Sequence, residues 1–211
     1  MHKKHRTTAI IIVALVSLSM IGSSFALFFS DTPGTPTATA ANSKNSADSQ
    51  VQSLQSQVDG LNQAVKANPQ DPNLHLSLAN SYYDLGIAQL NSKQDQAATA
   101  SLKQATNEYQ EVLKSKKDDV NIMVDMATAA FYGGDNTLAE TTFKQALAIK
   151  PDFLNALLNY GIFLMEAKGD YLGAIAEFNQ ALSTNPSSTD ADRIKGLIST
   201  AQAKLNGNAG K

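Results

Sequence analysis

Apolar residues return at helical spacing along most of the chain. From Gln50 to Asn68, Val51, Leu54, Val58, Leu61 and Val65 recur at intervals of 3, 4, 3 and 4, which lines one face of a helix. From Val120 to Phe153 the pattern breaks into two short helices around a Gly134-Asp135 turn. From Leu154 to Ser188 it does so again around Gly169-Asp170. Both stretches carry Ala-x-x-x-Phe (Ala139/Phe143, Ala174/Phe178), then Gln-Ala-Leu (Gln145–Leu147, Gln180–Leu182), then a proline, Pro151 or Pro186. The result is a repeat of about 34 residues, two helices and a breaker, the signature of a stacked array.

The stretch from Pro72 to Asp119 follows the same plan at greater length. Leu78-Ala79 and Tyr82 open its first helix, and Tyr109, Val112 and Leu113 close its second. Between them the helical pattern persists through Leu85 and Leu90, then Ala98, Leu102 and Ala105, with Asn91-Ser92-Lys93-Gln94 as the tip. One long helical hairpin is predicted, since an unstructured loop would be poorer in Ala, Leu and Gln. After Pro186, Ile194, Leu197, Ile198, Ala201 and Leu205 share a face, with charged residues on the others. That is a terminal capping helix, which repeat arrays need for solubility. The Gln50–Asn68 helix has two readings, a cap on the first hairpin or a short coiled coil that dimerises the protein. The short stripe and Gly60 inside it favour the cap.

The N-terminus is of another kind. Lys3, Lys4 and Arg6 precede Thr7–Phe29, which holds no charge in 23 residues, enough apolar length to span a bilayer. It reads as an uncleaved signal anchor or, alternatively, as a signal peptide cut after Ser24-Phe25-Ala26; the return to Leu27-Phe28-Phe29 favours the anchor. In either case the basic tip stays in the cytoplasm and the rest is exported. Cleavage would leave a secreted or periplasmic protein. Ser30–Ser49, rich in Thr, Ala, Ser, Asn and Pro, is expected to be a flexible tether. The expected organisation is thus 1–29 anchor, 30–49 linker and 50–206 helical array. Within the array come an N-terminal helix (50–68), an elongated repeat (72–119), two regular repeats (120–153 and 154–188) and the terminal helix (189–206).

These residues resemble the tetratricopeptide repeat family. In the first helix of each hairpin the family's large-then-small pair matches Leu78-Ala79, Met126-Ala127 and Tyr160-Gly161. In the second helix its small residue matches Ala139 and Ala174, and its aromatic matches Tyr109, Phe143 and Phe178. The terminal prolines are Pro151 and Pro186, with Lys117 in place of the first. The resemblance implies an all-α fold, a right-handed α-α superhelix or solenoid of helical hairpins. It also implies a protein or peptide partner held in a concave groove lined by the first helices.

Carried over position by position, that groove takes Asn73, Leu76, Ser77, Asn80, Tyr83 and Asp84 from the first hairpin. The second supplies Asn121, Val124, Asp125, Thr128, Phe131 and Tyr132, and the third Asn155, Leu158, Asn159, Ile162, Met165 and Glu166. Asn73, Asn80, Tyr83, Asp125, Thr128, Phe131, Tyr132, Asn155, Asn159, Ile162 and Met165 are the candidate contacts. Tyr83, Phe131, Tyr132 and Met165 are the expected exposed anchors, since aromatics and Met are enriched in interface cores. Family members that clamp a peptide carboxylate use Lys and Arg here, and this set has neither. Such a surface suits an extended peptide, whose backbone pairs with Asn amides, or an amphipathic helix.

Composition narrows the chemistry. With no Cys among 211 residues, neither a disulfide nor a Cys-based metal site or nucleophile can form. His2 and His5 lie in the basic tip and leave His75 alone, too few for a His cluster or a Ser-His-Asp triad. Hence no catalytic residue, metal or cofactor is expected. Of 17 Lys and Arg, three stand in the tip, leaving 14 against 19 acidic groups. That balance disfavours nucleic acid. The partners expected are a protein or peptide, and the membrane through residues 7–29. Self-association through 50–68 or the long hairpin is the alternative.

Overall fold

The computed structural model describes residues 39–209. The apolar segment 7–29 and residues 30–38 lie outside them, and no helix among the described residues is long and apolar enough to cross a membrane. Eight α-helices follow in order among the described residues: α1 (Thr39–Ala67), α2 (Pro72–Asn91), α3 (Asp95–Ser115), α4 (Val120–Gly133), α5 (Asn136–Ile149), α6 (Leu154–Phe163), α7 (Tyr171–Ser183) and α8 (Ser188–Ala209). A π-helical turn, Leu164–Lys168, extends α6. The helices pair as hairpins α2/α3, α4/α5 and α6/α7, with α1 packed on α2 and α8 on α7.

Aspartates start α2, α4, α5 and α7. Asp71 accepts from the Asn73 amide at 2.8 Å, Asp119 from Asn121 at 3.1 Å, Asp135 from Leu138 at 3.0 Å and Asp170 from Gly173 at 2.9 Å. Each satisfies a donor that the first turn leaves unpaired. The hairpin tips close alike. At the tip of α4/α5 Gly134 takes φ 90° and the Asp135 amide bonds the Ala130 carbonyl at 2.8 Å. At the tip of α2/α3 Lys93 takes φ 60° and Gln94 bonds Gln89 at 2.8 Å. Gly169, at φ 67°, serves α6/α7, but there Asp170 reaches back one residue further, to Leu164 at 3.0 Å. The cause is an extra residue: 14 positions separate Val120 from Gly134 and 15 separate Leu154 from Gly169. The π turn absorbs the surplus, as single-residue insertions into helices do.

Small residues let the paired helices approach. A Cβ on Gly161 would come within 2.5 Å of the Phe178 ring, and one on Gly86 within 2.6 Å of Leu102. Phe143, Phe163 and Phe178 are fully buried, and they continue with Leu157, Met165 and Ile194 into one core joining α4 through α8. A second cluster, Ala79, Ala105, Tyr109, Val112, Ile122 and Met126, seals α2/α3 against α4. The long hairpin is zipped near its tip by a buried bond from Ser101 Oγ to Gln89 Oε1, 2.8 Å.

Two expectations change. Residues 39–49 are not part of a tether but the first turns of α1. No Pro or Gly intervenes between Pro36 and Gly60, and extending a helix already nucleated by docking costs little. The stripe Val51, Leu54, Leu61 and Val65 does not stand free for a coiled coil. It packs with Val58 against Leu78, Leu85 and Tyr82 of α2, the arrangement of a cap.

Candidate functional site

The first helices of successive hairpins share one face, and a line of aromatic and acidic side chains runs along it. Tyr83 and Asp84 come from the last turns of α2, Asp125 and Tyr132 from α4, and Glu166 from the π turn. Tyr83 and Tyr132 are half-buried over Ile87 and Leu102. Phe131 stacks on Tyr132, with ring centroids 4.7 Å apart, and meets Phe163 edge-on at 5.5 Å. Tyr109 enters from α3, buried between the hairpins, and its hydroxyl donates to Asn80 Oδ1 at 2.7 Å.

These groups form one electrostatic cluster. Loss of hydration raises the Tyr83 phenol well above its ordinary value, and Tyr132, Asp125 and Asp84 push it the same way. Tyr109 is raised by desolvation and then by Asp125, Tyr83 and Asp84. Tyr132 is raised by desolvation and by Glu166. Burial pushes Asp125 up to about 7, with a small contribution from Asp119, and desolvation also raises Asp84. Removing a carboxylate from water disfavours its charge unless a cation or donors replace the water.

The third hairpin supplies that replacement. Lys204 of α8 places its ammonium 2.7 Å from Glu166 Oε1, and the Glu166 side chain is only 4% exposed. At the first two hairpins nothing comparable occurs. Neither α2 nor α4 contains a Lys or Arg. Among the described residues, the Asp84 and Asp125 side chains have no hydrogen bond or ion pair.

Of the eleven candidate contacts, Tyr83, Asp125 and Tyr132 gather in this cluster, with Phe131 and Asn80 at its border. Asn73 and Asn155 are exposed and Asn159 half-buried, with no link to the cluster. Thr128 is buried and spends its hydroxyl on the Val124 carbonyl at 2.7 Å. Ile162 and Met165 are not groove contacts at all. They are 3% and 1% exposed, inside the core that α8 completes. Met165 therefore loses its place among the exposed anchors, because its side chain is part of the core shared with the neighbouring helices. Asp84 and Glu166 stand at groove positions that a choice of aromatics and amides leaves out. The recurrence of an acid on this face in each hairpin is the signal that points to them. Tyr109 and Lys204 reach the face from other helices, and groove positions counted along first helices do not include them.

The geometry defines a solenoid of stacked helical hairpins with an acidic, aromatic inner face. Residues 124–189 match the tetratricopeptide repeat model, which spans the second and third hairpins into the start of α8. Comparison with curated proteins returned no match. Among solved structures the chain is similar to a thermophilic tetratricopeptide repeat protein of Thermus thermophilus, at 18% identity and a TM-score of 0.49, covering 69% of this chain and 89% of that one. It is similar to the MamA protein at 16% and 0.48, covering 79% and 90%. It is also similar to YrrB, described as having an unusual peptide-binding site, at 13% and 0.39, covering 66% and 99%. Proteins built on this repeat generally mediate protein–protein interaction.

Proposed function

We propose that this protein is an interaction scaffold that holds a peptide or helix of a partner protein against the face of α2 and α4. Residues 7–29 tether it to a membrane, and the array is displayed outside the cytoplasm for the assembly or maturation of envelope complexes. One observation carries the binding reading. Tyr83, Phe131, Tyr132 and Asp125 are only half-covered by the fold, on a face where Asp84 and Asp125 lack the partner that Glu166 has. Half-buried aromatics beside under-solvated polar groups are what an incoming chain covers at an interface core. The membrane reading rests on the uncharged run from Thr7 to Phe29 behind a basic tip. Self-association through α1 has less support, because its apolar stripe is already docked on α2.

The test is photocrosslinking in cells with the full chain. A photoreactive amino acid replaces Tyr132 in one sample and Thr141, exposed on the second helix of the same hairpin, in another. Adducts specific to position 132, with the array open to external protease on intact spheroplasts, are the expected result. Equal adducts at both positions would remove the groove reading; a protected array would remove the export reading.

A further inference from the structure

We propose that the hairpin-tip edge of the array faces the bilayer, with α1 and the projecting end of α2/α3 as a stalk that sets the height of the inner face above it. The inference rests on the membrane reading above and gives the elongated hairpin its role.

The levels of the helices carry it. Gly86, Leu102 and Gly133 stand side by side, because a Cβ on Gly86 would come within 2.6 Å of Leu102 and one on Gly133 within 3.3 Å. The second hairpin turns just there, at Gly134-Asp135. The third tip keeps to the second, since Lys168 reaches Glu140 of α5 at 2.9 Å. The first hairpin does not stop. Asp95–Ser101 of α3 stands beyond that level, about 10 Å of helix, with the end of α2 beside it. α1 goes further still. Residues 68–71 join it to α2 as an antiparallel neighbour, and Gln57 Nε2 donates to Ser81 Oγ at 2.9 Å, which sets the register. Ten residues of α2 follow Ser81, but eighteen of α1 precede Gln57, so α1 starts about 12 Å past the first tip. The surplus length of the N-terminal elements thus lies at one edge.

The projecting turns brace α1. Val51 and Leu54 pack in the cluster that contains Leu85, and the Ser101–Gln89 bond zips the hairpin above it. A first helix of 14 residues, the length of α4, would end at Leu85 and leave the start of α1 without a neighbour.

The chain enters at the far end of this stalk. The uncharged run ends at Phe29 and α1 begins at Thr39, so nine residues join them. Nine residues span at most about 30 Å. α1, with 29 residues, is about 43 Å long. The linker is therefore too short to return beside α1, which rules out an upright array standing on its opposite edge. Surface charge does not turn the array, because the tips mix Lys93 and Lys168 with Asp95, Asp135 and Asp170. Seated tips-down, the array holds Tyr132 within about 50 Å of the bilayer. The peptide or helix held there then comes from a partner close to the same membrane.

The experiment exploits the absence of Cys. Single-cysteine versions of the full chain are reconstituted into phosphatidylcholine vesicles: Gln94→Cys at the first tip, Thr137→Cys beside the second, and Lys117→Cys at the opposite edge. Each is labelled from outside with an impermeant donor dye, and energy transfer to a headgroup-labelled acceptor lipid is read. Positions 94 and 117 lie about 35 Å apart along α3, so transfer should fall in the order 94, 137, 117, by about threefold or more from first to last. Chain that floats with the vesicles but transfers equally from all three positions overturns the proposal and leaves the tether standing. Any other order overturns it as well. Chain that does not float with the vesicles overturns the tether and the proposal with it.

Discussion

The third hairpin and the first two solve the same problem differently. Each places an acid on the inner face, Asp84, Asp125 or Glu166. In the third the chain answers its own acid, because α8 lies alongside and Lys204 reaches across 38 residues of sequence to Glu166. In the first two neither α2 nor α4 carries a Lys or Arg, so Asp125 stays half-buried without a partner while Asp84 stands exposed. A capping helix thus does more than end the array. It gives Glu166 a counter-charge that Asp84 and Asp125 do not have.

The comparison can be broken most sharply at Lys204. Lys204→Ala should destabilise the fold by about 2 kcal/mol, less than the full loss of a buried pair because the lysine is partly exposed. Adding Glu166→Gln should restore most of that, and chemical denaturation of both variants checks the pair. The single variant turns the third hairpin into the unfinished state of the first two.

Asp125→Asn does the reverse and finishes the second hairpin without a partner. The folded pKa of Asp125 is raised to about 7, whereas an unfolded Asp titrates near 4. Below about pH 4 both states are protonated. As pH climbs toward 7 the unfolded state releases its proton first and stability falls. The variant should therefore be more stable than the parent at pH 8, by about 1 kcal/mol after solvent screening, and equal to it at pH 4. Thermal melts across that range decide it, and a parent that gains stability between pH 4 and pH 7 relative to the variant would contradict the assignment.

The smallest effect belongs to His75, where the first hairpin compensates an acid with a titratable group. Its Nδ1 faces Glu108 Oε2 at 2.6 Å and its Nε2 faces the Pro69 carbonyl at 3.0 Å, so the imidazolium, which donates at both nitrogens, suits the site. The Pro69 bond and then Glu108 raise its pKa against the opposing effect of burial. The stabilisation is full below the unfolded value near 6.5 and disappears as pH rises through the higher folded value. His75→Gln should cost less than about 1 kcal/mol at pH 5.5 and almost nothing at pH 9. A loss that grows with pH would count against the clasp.

The hairpins are legible in the sequence for a local reason. Gly134-Asp135 and Gly169-Asp170 carry their own turn chemistry, a left-handed glycine followed by a capping aspartate, and Ala127, Gly161, Phe143 and Phe178 pair at fixed distances. The long hairpin is legible because its extra turns keep the helical period. The inner face is less so. Ile162 and Met165 occupy positions that would face an open groove in an unending array, and here they lie inside the core shared by α4 through α8. In sequence Lys204 reads as no more than a favourable charge at a helix end, since its partner lies 38 positions away. The helix over residues 39–49 escapes the pattern because its own composition is poor in large apolar residues. Its continuity with the docked part of α1 decides its conformation.

The π turn after α6 has a consequence for how such a chain can drift. Neighbouring hairpins are gauged by where their tips and breakers fall, not by how many residues lie between. Here a repeat of 35 residues docks beside one of 34, because the surplus is taken up as one slack loop of backbone just before Gly169. One extra residue at that spot is accommodated while Gly161 stays seated on Phe178. The same change two turns earlier, between Leu157 and Gly161, would rotate Gly161 away from Phe178 and disengage the hairpin. The array therefore carries its own expansion joint, at the end of the third first-helix, where one added residue leaves the stacking undisturbed.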